Sequence, residues 1–475
     1  MNLAVSCKYR ASQTALLVAD RWNNIPGQEW IFAVPIEYQT SLTRRAVLSE
    51  DKPTEERERI EKRFRSLMRE ELELGSFVSY VGNKKVPLLR LYRYKEAFAF
   101  SFVQEFLRRF KISPSDYVLD PFAGMGTTLF TSMVRRIPSI GIDKLPIAVF
   151  AARTLPLFFT LRQGQLRTTF EKLKPLAQRI EPAHAAMDVP IISLAFDEKQ
   201  LLALRRWKAA IETLKHPLQD IFLLLFFSIL EATSYTSKDG QFLRLKRDKG
   251  VVDPDEALYQ KILEAEHDLK TIGELFPATS PKNFPRVYLG DTRDLSHIPF
   301  DRSPTAIITS PPYVNRYDYT RSYCLELCFH FVGNFEELKS IRFGVLRSHI
   351  ESKVGEDEQP PHPVIAEVVN ALKEKKLNNP RIPFMLTGYF IDMKKAIREW
   401  GRILAPGAQV AVVVDNVRFE GELIPVDLVL SEMAEEAGFQ VQHIIVSRYK
   451  GNSSQQMKKY GRVPVRESIV VWRKE

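Results

Sequence analysis

The sequence predicts an α/β protein with a mixed, mostly parallel sheet, helices on both faces of the sheet and a helical insertion. From Tyr117 onward, short apolar segments predicted as strands alternate with helical segments, and the alternation resumes after Pro285. Strands that alternate with helices are typical of a parallel sheet whose crossover helices cover its faces. The length of 475 residues fits one large α/β domain with insertions, or two to three units.

The predicted elements follow one another in a regular order. A short apolar strand, DYVLDPFAG, enters a glycine turn and is followed by the helix TTLFTSMVRR, the strand IPSIGID and the helix LPIAVFAART. After Pro285 the predicted strands are RVYLGD, TAIITSPPY and AQVAVVVDN, with a helix over residues 389–403 before the last of them. The segments VQHIIVSRY and ESIVVW complete the pattern as two strands joined by a basic connection.

Interruptions of this alternation divide the chain into four segments. Residues 1–85 form an N-terminal extension, in which the strand-like EWIFAVPI precedes an amphipathic helix. Residues 86–154 and 286–475 hold the two parts of the sheet, and residues 155–285 form a helical insertion without a convincing strand pattern. A polar, proline-containing stretch at about residues 333–387 predicts a second, loop-rich insertion.

Composition limits the classes of protein and of partner. Hydrophobic residues make up 45% of the chain and charged residues 27%, which excludes a wholly disordered protein. Three cysteines cannot build a disulfide framework, and the longest apolar run, IFLLLFFSIL, is too short to span a bilayer. We therefore expect a cytoplasmic protein with no membrane segment, in which that run forms a buried helix. The formal charge of +10 suggests a polyanionic partner without naming it.

A glycine turn follows the first predicted strand. Residues 120–128 read DPFAGMGTT, and Gly124 and Gly126 let the backbone approach a ligand closely at the carboxyl end of the strand. The helix that follows offers free N–H groups to the same ligand. The segment lacks the Gly-Lys-Ser/Thr of a P-loop and the G-x-G-x-x-G of dinucleotide folds, so ATP and GTP are not expected as ligands.

Two acidic residues follow later strands of the same predicted sheet. Asp143 ends the segment IGID and Asp291 ends the segment LGD. In nucleoside-binding sheets an acid at such a position accepts hydrogen bonds from ribose hydroxyls, although Asp143 is explained equally well as a cap of the next helix. Asp291 is a candidate for contact with the amine of an adenine ring.

The segment TSPPY, residues 309–313, carries the most specific signal. Its two prolines fix the backbone and remove N–H donors, so that a carbonyl and the Ser310 hydroxyl are presented side by side and can bind an exocyclic amine. Tyr313 supplies an aromatic face, and together these groups suit a flipped base whose amine must face a donor. An isolated S-P-P-Y would be an ordinary proline turn, but this one lies where a fourth strand of the same sheet should end.

Together these segments resemble the motifs of the DNA amino-methyltransferases, the S-adenosylmethionine-dependent family that modifies N4 of cytosine or N6 of adenine. DPFAGMGTT resembles motif I, IGID motif II, LGD motif III and TSPPY the catalytic motif IV. LYRYKEAF, residues 91–98, loosely resembles motif X. The resemblance covers residues 86–152 and 284–475. It implies a Rossmann-like class I methyltransferase fold in which motif X lies over the methionine part of the cofactor.

The resemblance also implies a role for each matched residue. Four residues of motif IV are expected to act on the target base: Ser310, Pro311, Pro312 and Tyr313. The residues expected to hold S-adenosylmethionine lie in motifs X, I, II and III: Lys95, Phe98, Asp120, Pro121, Phe122, Ala123, Gly124, Gly126, Thr127, Thr128, Asp143 and Asp291. Within that set Asp143 would take the ribose hydroxyls and Asp291 the adenine.

The choice of target follows from the first residue of motif IV. In the family that the chain resembles, serine at this position is commoner for N4-cytosine, and aspartate or asparagine for N6-adenine, so Ser310 favours cytosine. Methylation at C5 needs a cysteine nucleophile, and no Pro-Cys dipeptide is present. The alternatives are an N6-adenine enzyme, an RNA or protein-glutamine methyltransferase on the same fold, and a non-catalytic DNA-binding relative.

Cys324 and Cys328 are predicted to lie in a helix core rather than to bind a metal.

Two basic stretches are candidates for contact with double-stranded DNA. One lies in the helical insertion, which is a candidate region for target recognition, and the other connects the last two predicted strands. The residues proposed from these stretches are Tyr235, Lys238, Arg244, Lys246, Arg247, Lys450, Lys458, Lys459 and Arg462. A solvated loop explains the first stretch nearly as well. The resemblance further implies a restriction-modification or other defence system, with a cognate restriction endonuclease or other defence proteins as partners.

Overall fold

The computed structural model describes residues 54–239, 242–277, 279–353, 355, 358–451, 461 and 463–475. The strand-like EWIFAVPI lies outside these described residues. The strands of the described part are β1 (Met68–Glu70), β2 (Val118–Asp120), β3 (Ser139–Asp143), β4 (Thr236–Asp239), β5 (Phe242–Leu245), β6 (Arg286–Leu289), β7 (Ala306–Thr309), β8 (Gln409–Asp415), β9 (Val417–Phe419), β10 (Glu422–Ile424), β11 (Phe439–Lys450) and β12 (Val465–Lys474).

Within the described residues, eight strands form one sheet in the order β1-β11-β12-β8-β7-β2-β3-β6. The strands β6, β3, β2, β7 and β8 run parallel to their neighbours in that order. Strand β12 is antiparallel to both β8 and β11, and β1 joins the outer edge of β11 in parallel. The predicted mixed, mostly parallel sheet is therefore confirmed.

The helices surround this sheet and build the insertions. Those of the described residues are α1 (Glu55–Phe64), α2 (Phe100–Arg109), α3 (Thr127–Val134), α4 (Pro146–Thr154), α5 (Gln165–Ala177), α6 (Pro190–Ala195), α7 (Glu198–Glu212), α8 (Leu218–Ile229), α9 (Pro254–Leu275), α10 (Tyr319–Ser322), α11 (Cys324–Glu326), α12 (Phe335–Gly344), α13 (Pro363–Lys373), α14 (Ile382–Ile403) and α15 (Val426–Glu436). The short α11 continues into a π-helical turn, Leu327–Phe331.

Helices cover both faces of the sheet because successive strand residues point to opposite sides. In β7, for example, Ile307 packs into a core formed with α13, α14 and α15. The adjacent Ile308 packs into a second core on the other face, which is formed with α2. A third core holds the helices of the insertion together with α4, and it includes the apolar run that was predicted to form a buried helix.

Three sequence predictions need correction in the insertions. Residues 155–285 contain a two-stranded hairpin, β4 and β5, whose short and charged strands give no clear apolar alternation. The stretch at residues 333–387 holds α12 and α13 and the start of α14, so it is helical over much of its described length rather than loop-rich. The helix predicted over residues 389–403 begins earlier, at Ile382.

No helix of the described residues is long and apolar enough to cross a membrane.

The fold brings the carboxyl ends of five parallel strands to one edge of the sheet. The chain leaves β2 toward β3 on one side, whereas β7 pairs with β2 on the other side. In open α/β sheets the crevice at such a reversal of strand order is where ligands bind. The glycine turn follows β2 and the S-P-P-Y segment follows β7, so both predicted motifs lie at this crevice.

Candidate active site

The glycine turn and the S-P-P-Y segment are joined by direct hydrogen bonds. The Thr309 hydroxyl donates to Asp120 Oδ1 at 2.6 Å, and the Thr128 hydroxyl donates to the carbonyl oxygen of Ile308 at 3.1 Å. These bonds connect residues that are about 180 positions apart in the sequence. The two motifs therefore form one rigid unit, as their places at the ends of adjacent parallel strands predicted.

Asp120 is an internal brace rather than an exposed ligand. Its side chain is 1% exposed, and its Oδ1 also accepts a hydrogen bond from the backbone N–H of Phe122 at 3.2 Å. Burial raises the pKa of this carboxyl from 3.8 to about 6, although the hydrogen bonds from Thr309 and from the Phe122 N–H oppose the rise. Asp120 therefore joins the glycine turn to S-P-P-Y, and its expected contact with the cofactor stays a prediction.

The raised pKa of Asp120 predicts a pH-dependent contribution to stability. The folded protein holds this proton more tightly than the unfolded chain does, so the contribution is complete below pH 3.8 and is lost as the pH rises through about 6. We expect the free energy of unfolding of Asp120→Asn, relative to wild type, to rise by about 2–3 kcal/mol between pH 4 and pH 7. Chemical denaturation at several pH values measures this difference.

Asp116 provides a matched control for that experiment because the pKa of its carboxyl is shifted in the opposite direction. Although burial opposes the change, hydrogen bonds from the backbone and side chain of Ser113 lower the pKa of Asp116. The stability of Asp116→Asn relative to wild type should therefore fall as the pH rises. A pH-independent difference for Asp120→Asn would contradict the assignment of Asp120 as a strained, buried carboxyl.

The glycine turn is held in place by the acid of the next strand. Gly124 and Gly126 have φ values of +51° and +88°, a conformation that residues with a side chain rarely adopt. Asp143 Oδ2 accepts a hydrogen bond from the Gly124 N–H, and Asp143 Oδ1 accepts one from the Leu145 N–H, both at 2.8 Å. Asp143 thus fixes both the turn and the residue before α4, but it does not cap that helix, whose N-cap residue is Leu145 and which has no side-chain cap.

A cavity of about 300 Å³ separates motif X from motif IV. Lys95 and Phe98 of motif X line one side, and Ser310, Pro311 and Tyr313 line the other. The segment after motif IV and the end of the N-terminal extension complete the wall, with the residues Val78, Ser79, Tyr80, Asn315, Tyr317 and Tyr319. The structure therefore brings the loosely matched motif X against the catalytic motif.

Glu96 contributes a carboxylate to the cavity lining, and aromatic rings pack behind it. The Tyr323 hydroxyl donates a hydrogen bond to Glu96 Oε2. The Tyr94 ring stacks on the Tyr323 ring with centroids 4.8 Å apart, and it also contacts the glycine turn, because a Cβ at Gly124 would lie 3.1 Å from it. Glu96 thus places a carboxylate beside aromatic rings, an arrangement that suits a cationic ligand, although Lys95 also lines the cavity.

Motif IV is fixed by bonds to the strands beside it. The Ser310 hydroxyl donates to the carbonyl oxygen of Val413 in β8 at 3.1 Å. The Tyr313 hydroxyl donates to Glu467 Oε1 in β12 at 3.0 Å. Glu467, Arg448 and Lys450 also line the cavity, and sequence reasoning did not assign any of the three to the catalytic pocket.

Other residues expected to hold the cofactor lie in different surroundings. Asp291 forms an ion pair with Arg293 at 2.7 Å and a second with Lys144 at 3.2 Å. Although burial opposes the change, hydrogen bonds and charge from Arg293 lower the pKa of Asp291 to about 2.

Thr127 is buried, and its hydroxyl oxygen lies 3.4 Å from the Asn83 amide. Phe122 packs edge-on against Trp400, and among its neighbours Pro121 and Ala123 are buried.

The hairpin of the helical insertion changes the assignment of one predicted DNA contact. Lys238 is 6% exposed, forms an ion pair with Glu326 and lies 4.2 Å from the centroid of the Tyr323 ring. A buried and paired ammonium is not available to a phosphate, so the prediction for Lys238 is wrong. Its carbonyl instead accepts a hydrogen bond from Lys95 Nζ at 3.0 Å, which ties the hairpin to motif X.

The remaining predicted DNA contacts fall into three groups. Arg244 and Arg247 are exposed on the hairpin side, and the Arg247 guanidinium lies 5.6 Å from the centroid of the half-buried Tyr235 ring. Lys246 is half-buried, and its backbone N–H donates to the Tyr235 carbonyl. Lys450 differs from the prediction because it turns into the cavity and pairs with Asp415 and Glu467. Lys458, Lys459 and Arg462 lie outside the described residues.

Cys324 and Cys328 occupy the helical segment that contains α11. Both side chains are buried, and their sulfur atoms are 3.8 Å apart. The predicted helix-core location of the two cysteines is confirmed. In the part of the chain that the structure describes, no group of three or more histidine, cysteine or acidic side chains is placed to hold a metal ion.

Comparison with known proteins gives matches along most of the chain. The chain is 33% identical over 480 residues to the Type II methyltransferase M.BsoBI of Geobacillus stearothermophilus, covering 89% of this chain and 92% of that protein. It is 34% identical over 450 residues to the Type II methyltransferase M.AvaI of Nostoc sp. strain PCC 7120, covering 87% and 92%. No protein-family model matches the sequence.

Among solved structures, the chain is similar to the rRNA methyltransferase aviRa from Streptomyces viridochromogenes. The two sequences are 12% identical, and the match covers 84% of this chain and 90% of that chain with a TM-score of 0.29. A TM-score this low leaves the fold to be judged from the strand order alone.

The strand order and the meeting of the glycine turn with S-P-P-Y define a methyltransferase of the Rossmann-like class I fold. The chain is 33–34% identical to these two relatives over nearly their full length, and this similarity shows the family. The chain belongs to the Type II DNA methyltransferases, and S-adenosylmethionine is its cofactor.

Part of the cavity lining suits the charge of this cofactor. S-adenosylmethionine carries a sulfonium cation, and Glu96 with the rings of Tyr317 and Tyr319 offers a carboxylate and aromatic faces of the kind that bind such cations. The left-handed turn at Gly124 and Gly126 presents backbone without side chains next to the Tyr94 ring. Glu96 was not assigned from the sequence, and its place in motif X beside Lys95 is the signal that would have found it.

Proposed function

We propose that the protein methylates N4 of cytosine at a specific site in double-stranded DNA. The observation that supports this proposal best is the hydrogen bond from the Ser310 hydroxyl to the Val413 carbonyl. Because the single hydroxyl proton is used there, the lone pairs of Ser310 Oγ are left to accept from an exocyclic amine. In the family, serine at this position is commoner in enzymes that act on cytosine.

The proposed mechanism requires orientation of the amine and exclusion of water. When bound, the cofactor supplies an electrophilic methyl group on a positively charged sulfur. Ser310 Oγ and the carbonyl oxygen of Pro311 accept the two hydrogens of the target amine, and the ring of Tyr313 stacks on the base. Pro311 and Pro312 have no N–H, so neither competes for those acceptors. The surrounding aromatic wall excludes water and strengthens these bonds.

The exposed arginines of the hairpin are proposed to contact DNA next to this pocket. Strand β5 packs against α10, which directly follows the motif IV segment. The Lys95 bond to the hairpin backbone places β4 beside the cavity wall. The nearness of the hairpin to the cavity supports a contact of Arg244 and Arg247 with DNA, since guanidinium groups bind phosphates and base edges.

Replacing both hairpin arginines tests this contact. We expect Arg244→Ala with Arg247→Ala to weaken DNA binding and to reduce the slope of log K against log salt by about two, because each phosphate contact contributes about one counterion. Fluorescence anisotropy at several salt concentrations measures both quantities. The matched control is Arg162→Ala with Arg167→Ala, two exposed arginines on α5 and the turn before it. An unchanged slope in the hairpin variant would contradict the proposal.

Sequencing DNA from a host that expresses the protein tests the target base and the recognition site together. The expected result is N4-methylcytosine at one short sequence throughout the genome. N6-methyladenine would favour the alternative target and reject cytosine. We also propose a cognate restriction endonuclease that cuts the same sequence, in keeping with the Type II relatives, and host DNA methylated at that site should resist its cleavage.

A further inference from the structure

A buried carboxylate in the last strand stands directly behind the catalytic tyrosine. Glu467 lies in β12 opposite Asp415, which ends β8, and its side chain is 1% exposed. Its Oε1 accepts hydrogen bonds from the Tyr313 hydroxyl at 3.0 Å and from Lys450 Nζ. Its Oε2 accepts a hydrogen bond from Arg448 Nε.

The neighbours of Glu467 neutralise its charge without taking over its contact with the tyrosine. Arg448 binds the oxygen that faces away from Tyr313. Lys450 bridges Glu467 and Asp415 Oδ2, the latter at 3.2 Å, and lies 5.4 Å from the centroid of the Tyr313 ring. Burying a carboxylate is costly unless it is paired and hydrogen-bonded, and both conditions are met here.

The tyrosine hydroxyl is the group through which this pair can act on the pocket. Burial and the charge of Glu467 raise the pKa of Tyr313 well above its usual value, so the hydroxyl keeps its proton and remains a donor. The ring of Tyr313 lines the cavity beside Ser310. A hydrogen bond at the hydroxyl holds the far end of the side chain and so restricts movement of the ring away from its place in the cavity wall.

We infer that Glu467 is a positioning residue that holds the Tyr313 ring in the place required for stacking on the target base. This inference rests on the proposed function of Tyr313 in base binding. Both oxygens of Glu467 are occupied by donors of the protein itself, which separates this role from direct recognition of the base. Lys450 and Arg448 compensate the charge that this arrangement buries.

A double-mutant cycle between Tyr313 and Glu467 tests the inference. Tyr313→Phe and Glu467→Gln are each expected to lower kcat about tenfold or more, because a small misplacement of a catalytic group costs up to about a hundredfold in rate. If Glu467 acts through the Tyr313 hydroxyl, the double variant is no slower than the slower single variant. Effects that multiply, or a Glu467→Gln enzyme as fast as wild type, would overturn the inference.

Glu422→Gln is the matched control for this cycle. Glu422 in β10 is also a buried carboxylate paired with one arginine and one lysine, Arg57 and Lys375, but it does not line the cavity. We expect it to keep kcat within about twofold of wild type. If Glu467→Gln does not fold, Tyr313→Phe, which leaves every buried charge in place, carries the test alone, and an unchanged kcat then rejects the inference.

A second measurement separates this inference from the proposed function. The midpoints of thermal unfolding of the same four proteins report the Tyr313–Glu467 contact without any DNA. The shift of the double variant should be smaller than the sum of the two single shifts, and additive shifts would reject the contact. If wild type methylates no DNA while the unfolding cycle shows coupling, the proposed function fails and the contact remains. If wild type methylates DNA and the cycles are additive, only the inference fails.

Discussion

Replacing Ser310 by alanine is expected to lower kcat for DNA methylation by at least about a hundredfold. The variant removes an acceptor that is aimed at the target amine, and the loss of one preoriented polar group at a reacting centre typically costs 10²–10³-fold in rate. Cofactor affinity should change by less than about twofold, because the proposed function assigns Ser310 to the target amine and not to the cofactor. Single-turnover kinetics and calorimetric titration with S-adenosylmethionine measure the two effects separately.

Ser228→Ala is a suitable comparison for this variant. The Ser228 hydroxyl also donates to a backbone carbonyl, that of Leu225 in α8, but it lies in the helical insertion away from the cavity. It should leave kcat within about twofold of wild type. A Ser310→Ala enzyme with near-normal kcat, or one that has lost cofactor binding, would contradict the assigned role.

Replacing Asp143 by alanine is expected to weaken cofactor binding by about a hundredfold or more. The change removes the acceptor of two backbone N–H groups, those of Gly124 and Leu145, and frees a turn whose left-handed glycines need to be held in place. Hydrogen bonds to a charged group contribute about 1.5–3 kcal/mol each, so the folded protein should also lose stability. Calorimetric titration and thermal unfolding follow the two losses.

The control for Asp143 is Asp116, which lies at the amino-terminal ends of the parallel strands. Asp116 precedes β2 and also accepts a backbone hydrogen bond within a turn, from the Ser113 N–H at 2.8 Å. Asp116→Ala should lose stability without losing cofactor affinity. If Asp143→Ala bound S-adenosylmethionine as tightly as wild type, the turn would not depend on this carboxylate.

The candidate functional residues at the carboxyl ends of the parallel strands could be predicted because each of them follows a strand directly in the sequence. Glycines after β2, an acid after β3 and S-P-P-Y after β7 each stand next to an apolar strand, and parallel topology then brings them to one edge. The same rule applies to Asp415, which ends β8 and pairs with Lys450 of the cavity lining. The position of Asp415 near the pocket was therefore within reach of the sequence.

The contacts that were missed depend on pairing between distant segments. Glu467 meets Tyr313 only because β12 pairs with β8 in antiparallel register, and residue spacing does not reveal that register. Lys238 appeared to be a phosphate ligand because it lies in a basic stretch, but Glu326, 88 residues away, pairs with it inside the protein. The bond from Thr309 to Asp120 also joins residues that lie 189 positions apart, and the sequence did not reveal it.

The most direct test of the proposed function is the identity of the methylated nucleoside formed by the purified protein. Unmethylated genomic DNA is incubated with the protein and isotopically labelled S-adenosylmethionine, digested to nucleosides and analysed by mass spectrometry. The structure and its Ser310 acceptor predict label in N4-methylcytosine with the wild-type protein and almost none with Ser310→Ala. Label in N6-methyladenine, or no label in DNA at all, would contradict the proposed function.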